Sequence, residues 1–398
     1  MSKYVIGLNS GTSFDGIDVA LVKFKKNDLR PTFIDGLVYE YPRIVKEKIR
    51  QLIDGVGARR GTPLREISQL NFLLGELFAD AANKIIKKNK LQSKDILLIG
   101  SHGQTIYHDP ARSTLQIGES SVIAQKTGIK TISNFREADI AAGGEGAPLI
   151  SFLDWMVFGK GAPRRALLNI GGISNVTVVG KSIKPIAFDI GPGNALIDLL
   201  TQKYFKKSFD KDGKLAKRGK IFYKLIDRAL KDLYFRKKPP KSTGKEHFNS
   251  NFIKKYFSPI ETIPAKGPAS TRRLGEARQG QHELSLLATI TYFTAKTIEK
   301  AFHDFIFKKY PVKEIVISGG GVKNNTLIAH LRKLFSVGAY RGMPKITTSD
   351  KYGLPWKFKE AMLFALLGYT CYKNIPNNIP SCTGAKKKVI LGKMTQGE

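Results

Sequence analysis

The sequence predicts an α/β chain made of two related halves, and three observations carry that reading. Short β-rich runs alternate with runs whose apolar residues recur at helical spacing. A strand, a small polar glycine-rich turn and a second strand occur twice, at residues 5–24 and again at 165–181. A strand, a triple glycine and a helix follow at residues 314–334. A chain of 398 residues also exceeds one ordinary core, which favours two domains.

The first device is "VIGLNSGTSFDGIDVALVKF". Val5–Leu8 and Val19–Phe24 read as strands. The turn between them carries Gly11 and Gly16, the hydroxyls of Thr12 and Ser13, and the carboxylate of Asp15. Glycines let backbone N–H groups point outward, and a row of them beside hydroxyls makes an anion cradle. An ordinary hairpin, in which Gly and Asp serve only turn geometry, accounts for this stretch equally well. No Gly-Lys-Ser/Thr ends it, so it is not a P-loop.

The remaining elements follow in order. "RPTFIDGLVYEYP" reads as a third strand, and "RIVKEKIRQLIDGV" and "LREISQLNFLLGELFADAANKIIKK" read as amphipathic helices. "DILLIGSHGQTIYH" is a buried strand ending in a polar turn; "SSVIAQKTG" is helical and "KTISNF" is a strand. In "RALLNIGGISNVTVVGK", Gly171, Gly172, Ser174 and Asn175 take the places of Gly11, Thr12, Ser13 and Asp15. In "PIAFDIGPGNALIDLL" a strand ends in Asp189, and a helix begins near Asn194 after a glycine turn, a setting that favours anions. Taken alone, Asp189 is a helix cap or a catalytic base. In "EIVISGGGVKNN", Gly319, Gly320 and Gly321 allow a flat or charged ligand close to the backbone. Each turn alone is weak evidence. Together they describe a nucleotide clamped between duplicated halves.

Composition narrows the classes. No apolar run approaches the roughly 20 residues that span a bilayer, and no signal-peptide pattern opens the chain. The only cysteines, Cys371 and Cys382, are too few for a disulfide framework, and no His or Cys spacing fits a metal site. The cytoplasm is the expected location. Net charge is +33, from 66 Lys+Arg against 33 Asp+Glu. That balance invites a nucleic-acid reading. The basic residues are scattered, however, in "KKNK", "YFKK", "FRKKPPK" and "AKKK", with no recognition motif beside them. A lysine-rich solvated surface, whose positive field favours anionic ligands, explains them better.

The ordered motifs "NSGTSFDGIDVAL", "SHGQTIYHDP", "TLQIGE", "FREADIAAGGEGAPLI", "NIGGISN", "FDIGPGNALID", "DKDGKLAKRGK", "PPKSTGKEHF", "SGGGVKNN", "KEAMLFALLG" and "PSCTGAKKKVILGK" run nearly end to end. They resemble the anhydro-N-acetylmuramic acid kinases, within the actin, sugar-kinase and heat-shock chaperone ATPase superfamily. The related levoglucosan kinases share most of them, including the "NSGTS" spelling. The resemblance implies duplicated actin-like (ribonuclease H-like) domains around an interdomain cleft. It implies an ATP- and Mg²⁺-dependent kinase that opens a 1,6-anhydro sugar with water and phosphorylates O6. The expected product is N-acetylmuramic acid 6-phosphate, in peptidoglycan recycling. The expected lobes are residues 1–132 with 360–398, and residues 133–359. A mobile basic loop is expected near 263–286, and a homodimer is compatible with the family.

Residue by residue, the resemblance makes Asp189 the general base. Gly11, Thr12, Ser13, Phe14, Asp15, Gly16, Ile17 and Asp18 form the ATP loop, with Gly171 and Gly172 its counterpart. Gly319, Gly320 and Gly321 form the slot for the nucleotide base. Asp15 and Glu360 stand near magnesium, which phosphates hold for the most part. His102, Gln104, Arg136 and Asp139 lie near the sugar, where Arg136 could meet a lactyl carboxylate with two hydrogen bonds. His102 is equally well read as a packed core histidine. Glu145 replaces the Gln usual in "GGQGAPL", and a carboxylate there would repel the lactyl group. The competing readings are a kinase for levoglucosan or another anhydrohexose, a nucleotide-switched binding protein of the same fold, and, from charge alone, a nucleic-acid binder.

Overall fold

The computed structural model describes residues 3–11, 16–55, 64–159, 162–244, 246–257, 272–337 and 344–397, with the backbone alone at 54–55, 272–279 and 337. In chain order the elements are β1 (Tyr4–Ser10), β2 (Gly16–Lys23), β3 (Thr32–Glu40), α1 (Arg43–Gly55), α2 (Leu64–Lys88), β4 (Ile96–Asp109), β5 (Ser113–Ile117), α3 (Ser120–Thr127), β6 (Thr131–Ser133), α4 (Glu137–Ala141) and α5 (Ile150–Phe158). There follow β7 (Arg165–Ile170), β8 (Ile173–Val179), β9 (Ile186–Pro192), α6 (Ala195–Phe205), α7 (Tyr223–Ala229), α8 (Ser250–Phe257) and α9 (Arg272–Ala301). The chain closes with β10 (Glu314–Ser318), α10 (Asn325–Val337), β11 (Lys345–Thr348), α11 (Lys359–Tyr372), α12 (Pro380–Thr383) and β12 (Lys393–Thr395). Among the described residues no helix is long and apolar enough to cross a membrane.

The chain divides into two compact units. Residues 1–162, 180–186 and 349–398 form the first, and residues 163–179 and 187–348 the second. The first contains a sheet in the order β12-β6-β4-β1-β2-β3, with β5 paired to β4. Strands β1, β2 and β3 are antiparallel neighbours, whereas β4 is parallel to both β1 and β6. The second contains a sheet in the order β11-β10-β7-β8-β9, in which β7 and β8 are antiparallel and β7, β10 and β11 are parallel. Both sheets place an antiparallel hairpin, β1–β2 in one and β7–β8 in the other, beside parallel strands in the same order. That repeat is the expected duplicated actin-like, ribonuclease H-like α/β fold.

Strand β1 is apolar on both faces because both are covered. On one side Ile6 and Leu8 join Ile17, Val19 and Leu21 of β2 and pack on Leu74, Phe78 and Ile85 of α2. On the other side the cover is α11. Gly7 of β1 pairs in register with Gly100 of β4. A Cβ on Gly7 would run into the carbonyl of Ala361, and one on Gly100 into that of Phe364. The two glycines therefore let the α11 backbone lie directly on the sheet. A buried ion pair fixes the start of the helix, with Lys359 Nζ 2.7 Å from Asp154 of α5. In the second unit, Leu196, Ile197 and Leu200 of α6, Phe252 and Phe257 of α8, and Leu287, Ile290 and Phe293 of α9 form one core with Tyr234, Phe235 and Phe248.

Four expectations need correction. Residues 133–162, 180–186 and 349–359 pack with the first unit, not the second; α5 is tied to the start of α11 through Asp154–Lys359, and its Phe158 meets Tyr352 edge-on at 5.0 Å. The motif "SHGQ" is not a turn after a strand but the middle of β4, which pairs with β1 as far as Gln104 and then with β5. Strand β9 does not stop at Asp189 but continues to Pro192. Within 263–286, residues from Arg272 onward are the start of α9 rather than loop, and their inner face is apolar from Leu284. Residues 263–271 lie outside the described residues.

Candidate active site

In the first unit, Asn9 ends β1 almost wholly buried, and its amide donates to Glu360 Oε2 at 3.0 Å. Glu360 sits in the first turn of α11 and is otherwise exposed. The close approach of α11 at Gly7 and Gly100 brings this carboxylate to the end of β1. Asp18 of β2 stands opposite Asn9 in the ladder. Of the expected ATP loop, Thr12, Ser13, Phe14 and Asp15 lie outside the described residues. Among the described residues nothing lies within 4 Å of where a Cβ on Gly11 would be. Gly16 instead serves the sheet, since a Cβ would strike the Tyr39 carbonyl of β3. Ile17 is completely buried core.

Gln104 is buried, and its Oε1 accepts the Ser10 hydroxyl at 2.5 Å, holding the end of β1. His102 is 7% exposed and stacks on Phe364 of α11 with ring centroids 4.4 Å apart. Its Nε2 accepts from Arg136 Nε at 3.1 Å, and its Nδ1 faces the Gly103 carbonyl at 3.1 Å. Arg136 can only donate, so the imidazole is the neutral Nδ1–H tautomer. Burial first, and the Arg136 charge second, push its pKa well below the usual histidine value. Arg136 also gives one Nη1 hydrogen to the Gly146 carbonyl at 2.7 Å. Its Nη1–Nη2 edge keeps donors for a planar anion. Asp139 is fully buried and does not face a ligand: Oδ1 accepts from Asn378 and Thr383, and Oδ2 from Gly146 N. It braces the segment that carries Gly146 against the C-terminal residues, and so acts on Arg136 indirectly. Glu145 donates its backbone N–H to the Thr383 carbonyl at 2.7 Å, one residue from the Arg136 contact.

In the second unit the Gly171–Gly172 turn packs against the start of α6. The backbone N–H groups of Gly193 and Ala195 donate to the Gly172 carbonyl, and that of Asn194 to Gly171. Those three N–H groups at the start of α6 are thus taken by the protein's own carbonyls. Ser174 likewise turns inward, onto the carbonyls of Gly191 and Pro192. The triple glycine divides its work. A Cβ on Gly319 (φ +83°) or Gly321 would strike the end of β7 at Asn169 and Ile170, whereas among the described residues a Cβ on Gly320 would meet only Asn194 Nδ2, at 3.8 Å. Gly320 is the member open to a ligand.

Asp189 is half-buried on β9, and the segment from Tyr234 to Thr243 grips it on three sides. Its N–H donates to the Lys241 carbonyl at 2.9 Å, its carbonyl accepts from Tyr234 Oη at 2.7 Å, and its Oδ2 accepts from Thr243 N at 3.0 Å. Asn194, not Asp189, occupies the cap position of α6. The cap reading of Asp189 thus falls away, and an oriented carboxylate remains. Lys241 beside it is 7% exposed, with Nζ 3.4 Å from the Tyr234 carbonyl. A cavity of about 600 Å³ borders this segment, lined by Tyr234, Thr243, His247 and Lys255 among others. Sequence reasoning missed Asn9, Tyr234, Lys241 and Thr243, although Asn9 stands in "NSGTS" and Lys241 and Thr243 in "PPKSTG".

Among the described residues no three His, Cys, Asp or Glu side chains cluster to hold a metal ion. A single exposed carboxylate held by an amide, as at Glu360, fits a magnesium ion whose other ligands are phosphates and water.

A family model described as anhydro-N-acetylmuramic acid kinase matches residues 3–397. A protein of that name from Caldanaerobacter subterraneus subsp. tengcongensis is 42% identical over 410 residues, covering 99% of this chain and 97% of the relative. One from Francisella tularensis subsp. novicida is 37% identical, covering 98% of each. Among solved structures, the ADPNP-bound activator of 2-hydroxyisocaproyl-CoA dehydratase from Clostridium difficile is similar at a TM-score of 0.44 and 12% identity, covering 93% of this chain and 96% of that one. A likeness of that distance has no bearing on function.

Proposed function

The chain belongs to the anhydro-N-acetylmuramic acid kinase family, and from that premise we propose that it uses ATP to open 1,6-anhydro-N-acetylmuramic acid with water and to phosphorylate O6. The observation that carries this reading is the carboxylate of Asp189, oriented by the Thr243 N–H and pinned through its backbone on both sides. Asp189 takes a proton from water as the water oxygen bonds to C1. The C1–O6 bond breaks, O6 takes the γ-phosphoryl group, and ADP leaves. General bases of this kind contribute about 10²- to 10⁴-fold in rate.

The other residues bind and orient. Gly11 and the open Gly320 admit the nucleotide close to the backbone. Glu360, steadied by Asn9, holds the magnesium that neutralises phosphate charge when bound. Arg136 presents its Nη1–Nη2 edge to the lactyl carboxylate, with neutral His102 accepting its Nε hydrogen and Gly146 its Nη1 hydrogen.

One observation favours a second reading. Glu145 places a carboxylate one residue from the Gly146 carbonyl that Arg136 binds. A neutral anhydrohexose such as levoglucosan would escape that repulsion. Supplying ATP with anhydro-N-acetylmuramic acid, levoglucosan or N-acetylmuramic acid, and weighing each product, tests both. The expected product is anhydro-N-acetylmuramic acid plus one water and one phosphoryl group, with one ADP released. Turnover of levoglucosan alone would select the second reading, and ATP turnover indifferent to sugar would reject both.

A further inference from the structure

Lys241 is a buried cation in an unusual setting. Its ammonium lies over the rings of Tyr234, Phe305 and Phe188, at 4.6, 5.1 and 6.0 Å from their centroids. Its Nζ donates to a carbonyl, Tyr234 O, rather than pairing with a carboxylate among the described residues. Its own carbonyl holds Asp189 N, and Thr243, two residues on, holds Asp189 Oδ2. One short segment thus fixes both the backbone and the carboxylate of Asp189 and buries a lysine beside them.

Burying a charge without a direct partner is costly, and such groups concentrate where chemistry needs them. The charges that act on Lys241 are Asp189 on β9, Asp304 and Lys300 around the end of α9, and Lys237 on its own segment. Asp304 is already bound to Lys300 at 2.7 Å and to His303 at 3.1 Å. Asp189 is the carboxylate whose backbone and side chain the lysine's own segment holds.

We propose that Lys241 is a positioning residue for Asp189, whose sealed ammonium holds the neighbouring carboxylate ionised and ready to accept a proton. This rests on Asp189 being the base. A nearby opposite charge lowers a carboxyl pKa. The coupling is reciprocal: Asp189 must raise the lysine's pKa by as much as the lysine lowers that of Asp189. Burial pushes Lys241 down to about 8, with Asp189 opposing the shift. The ammonium therefore loses its proton just above neutral pH, and its hold on Asp189 weakens there.

Titrating the full chain with ¹³Cε-labelled lysine reads the coupling without catalysis. One lysine signal should titrate near pH 8, be absent from Lys241→Met, and move down by about one pH unit in Asp189→Asn. An unmoved signal in Asp189→Asn overturns the proposal, and this reading survives even if Lys241→Met fails to fold. Profiles of kcat/KM give the functional half. The natural chain should lose activity above pH 8, whereas Lys241→Arg, always charged, should not. Lys241→Met should lack that alkaline fall and should show its acid limb about one unit higher. Variants that merely scale the whole profile would make Lys241 a packing residue and overturn the proposal. Normal turnover in Asp189→Asn beside a coupled lysine signal would instead overturn the base assignment on which it rests.

Discussion

Asn9 and Glu360, at opposite ends of the sequence, meet at 3.0 Å, the amide of one orienting the carboxylate of the other. If Glu360 holds magnesium as proposed, an amide that orients its carboxylate is worth about 10- to 100-fold in metal affinity or activity. Asn9→Ala should therefore raise the magnesium concentration needed for half-maximal turnover by about that factor, with folding intact. A magnesium titration of ADP release checks it. An unchanged midpoint would remove Glu360 from the metal site.

The close approach of α11 makes Gly7 and Gly100 unusually sensitive. A single added methyl on either would press on a helix carbonyl, which cannot swing aside as a side chain can. Overpacking costs about 1–3 kcal/mol and occasionally more. Gly7→Ala and Gly100→Ala should lie at or above the top of that range in urea denaturation. Each should also lose activity, because the displaced helix carries Glu360. A loss below about 0.5 kcal/mol would mean that the helix shifts freely.

The Lys359–Asp154 pair is buried on both sides. Removing one partner of such a pair strands a charge and costs about 3–5 kcal/mol, whereas replacing both with apolar residues is often neutral. Lys359→Met should destabilise by that amount, and Lys359→Met combined with Asp154→Leu should recover most of it. Equal losses in the single and double variants would count against a stranded charge.

Acid should reveal His102. Its folded pKa lies well below the ordinary value of 6.5. The unfolded chain therefore binds a proton there that the folded chain refuses. The stability tied to this residue is complete above pH 6.5 and is lost as pH falls below it, at up to about 1.4 kcal/mol per pH unit. His102→Gln should be destabilised at pH 7 but should lose less on acidification to pH 5. Parallel stability curves for the two proteins would contradict a neutral, buried imidazole.

Much of this fold was legible because strand period, helix period and glycine turns agree locally. The two hairpins, β10 with its triple glycine, and α2 all stand where the pattern puts them. What escaped depends on partners distant in sequence. The middle of β4 looks like a turn because "SHGQ" is polar, yet those groups are buried between β1 and β5 and bonded to Ser10 and Arg136. The start of α9 looks like loop because Gly, Arg and Gln crowd it, and among the described residues the helix's buried apolar side chains begin only at Leu284. Nothing near Gly171 and Gly172 in sequence announces that their carbonyls accept the N–H groups of residues 193–195. Nothing near Asp189 in sequence announces Thr243 or Lys241, which the fold brings from more than 50 positions away.

Turnover and ATP affinity measured together on Asp189→Asn test the central assignment most directly. Asparagine keeps the shape and can still accept the Thr243 N–H, but it cannot take a proton from water. Turnover should fall by about 10²- to 10⁴-fold, with ring opening and ADP release falling together. ATP affinity should stay near that of the natural chain, since the nucleotide contact proposed at Gly320 does not involve the Asp189 side chain. Near-normal turnover in the variant would contradict the assignment and leave the reaction without its base.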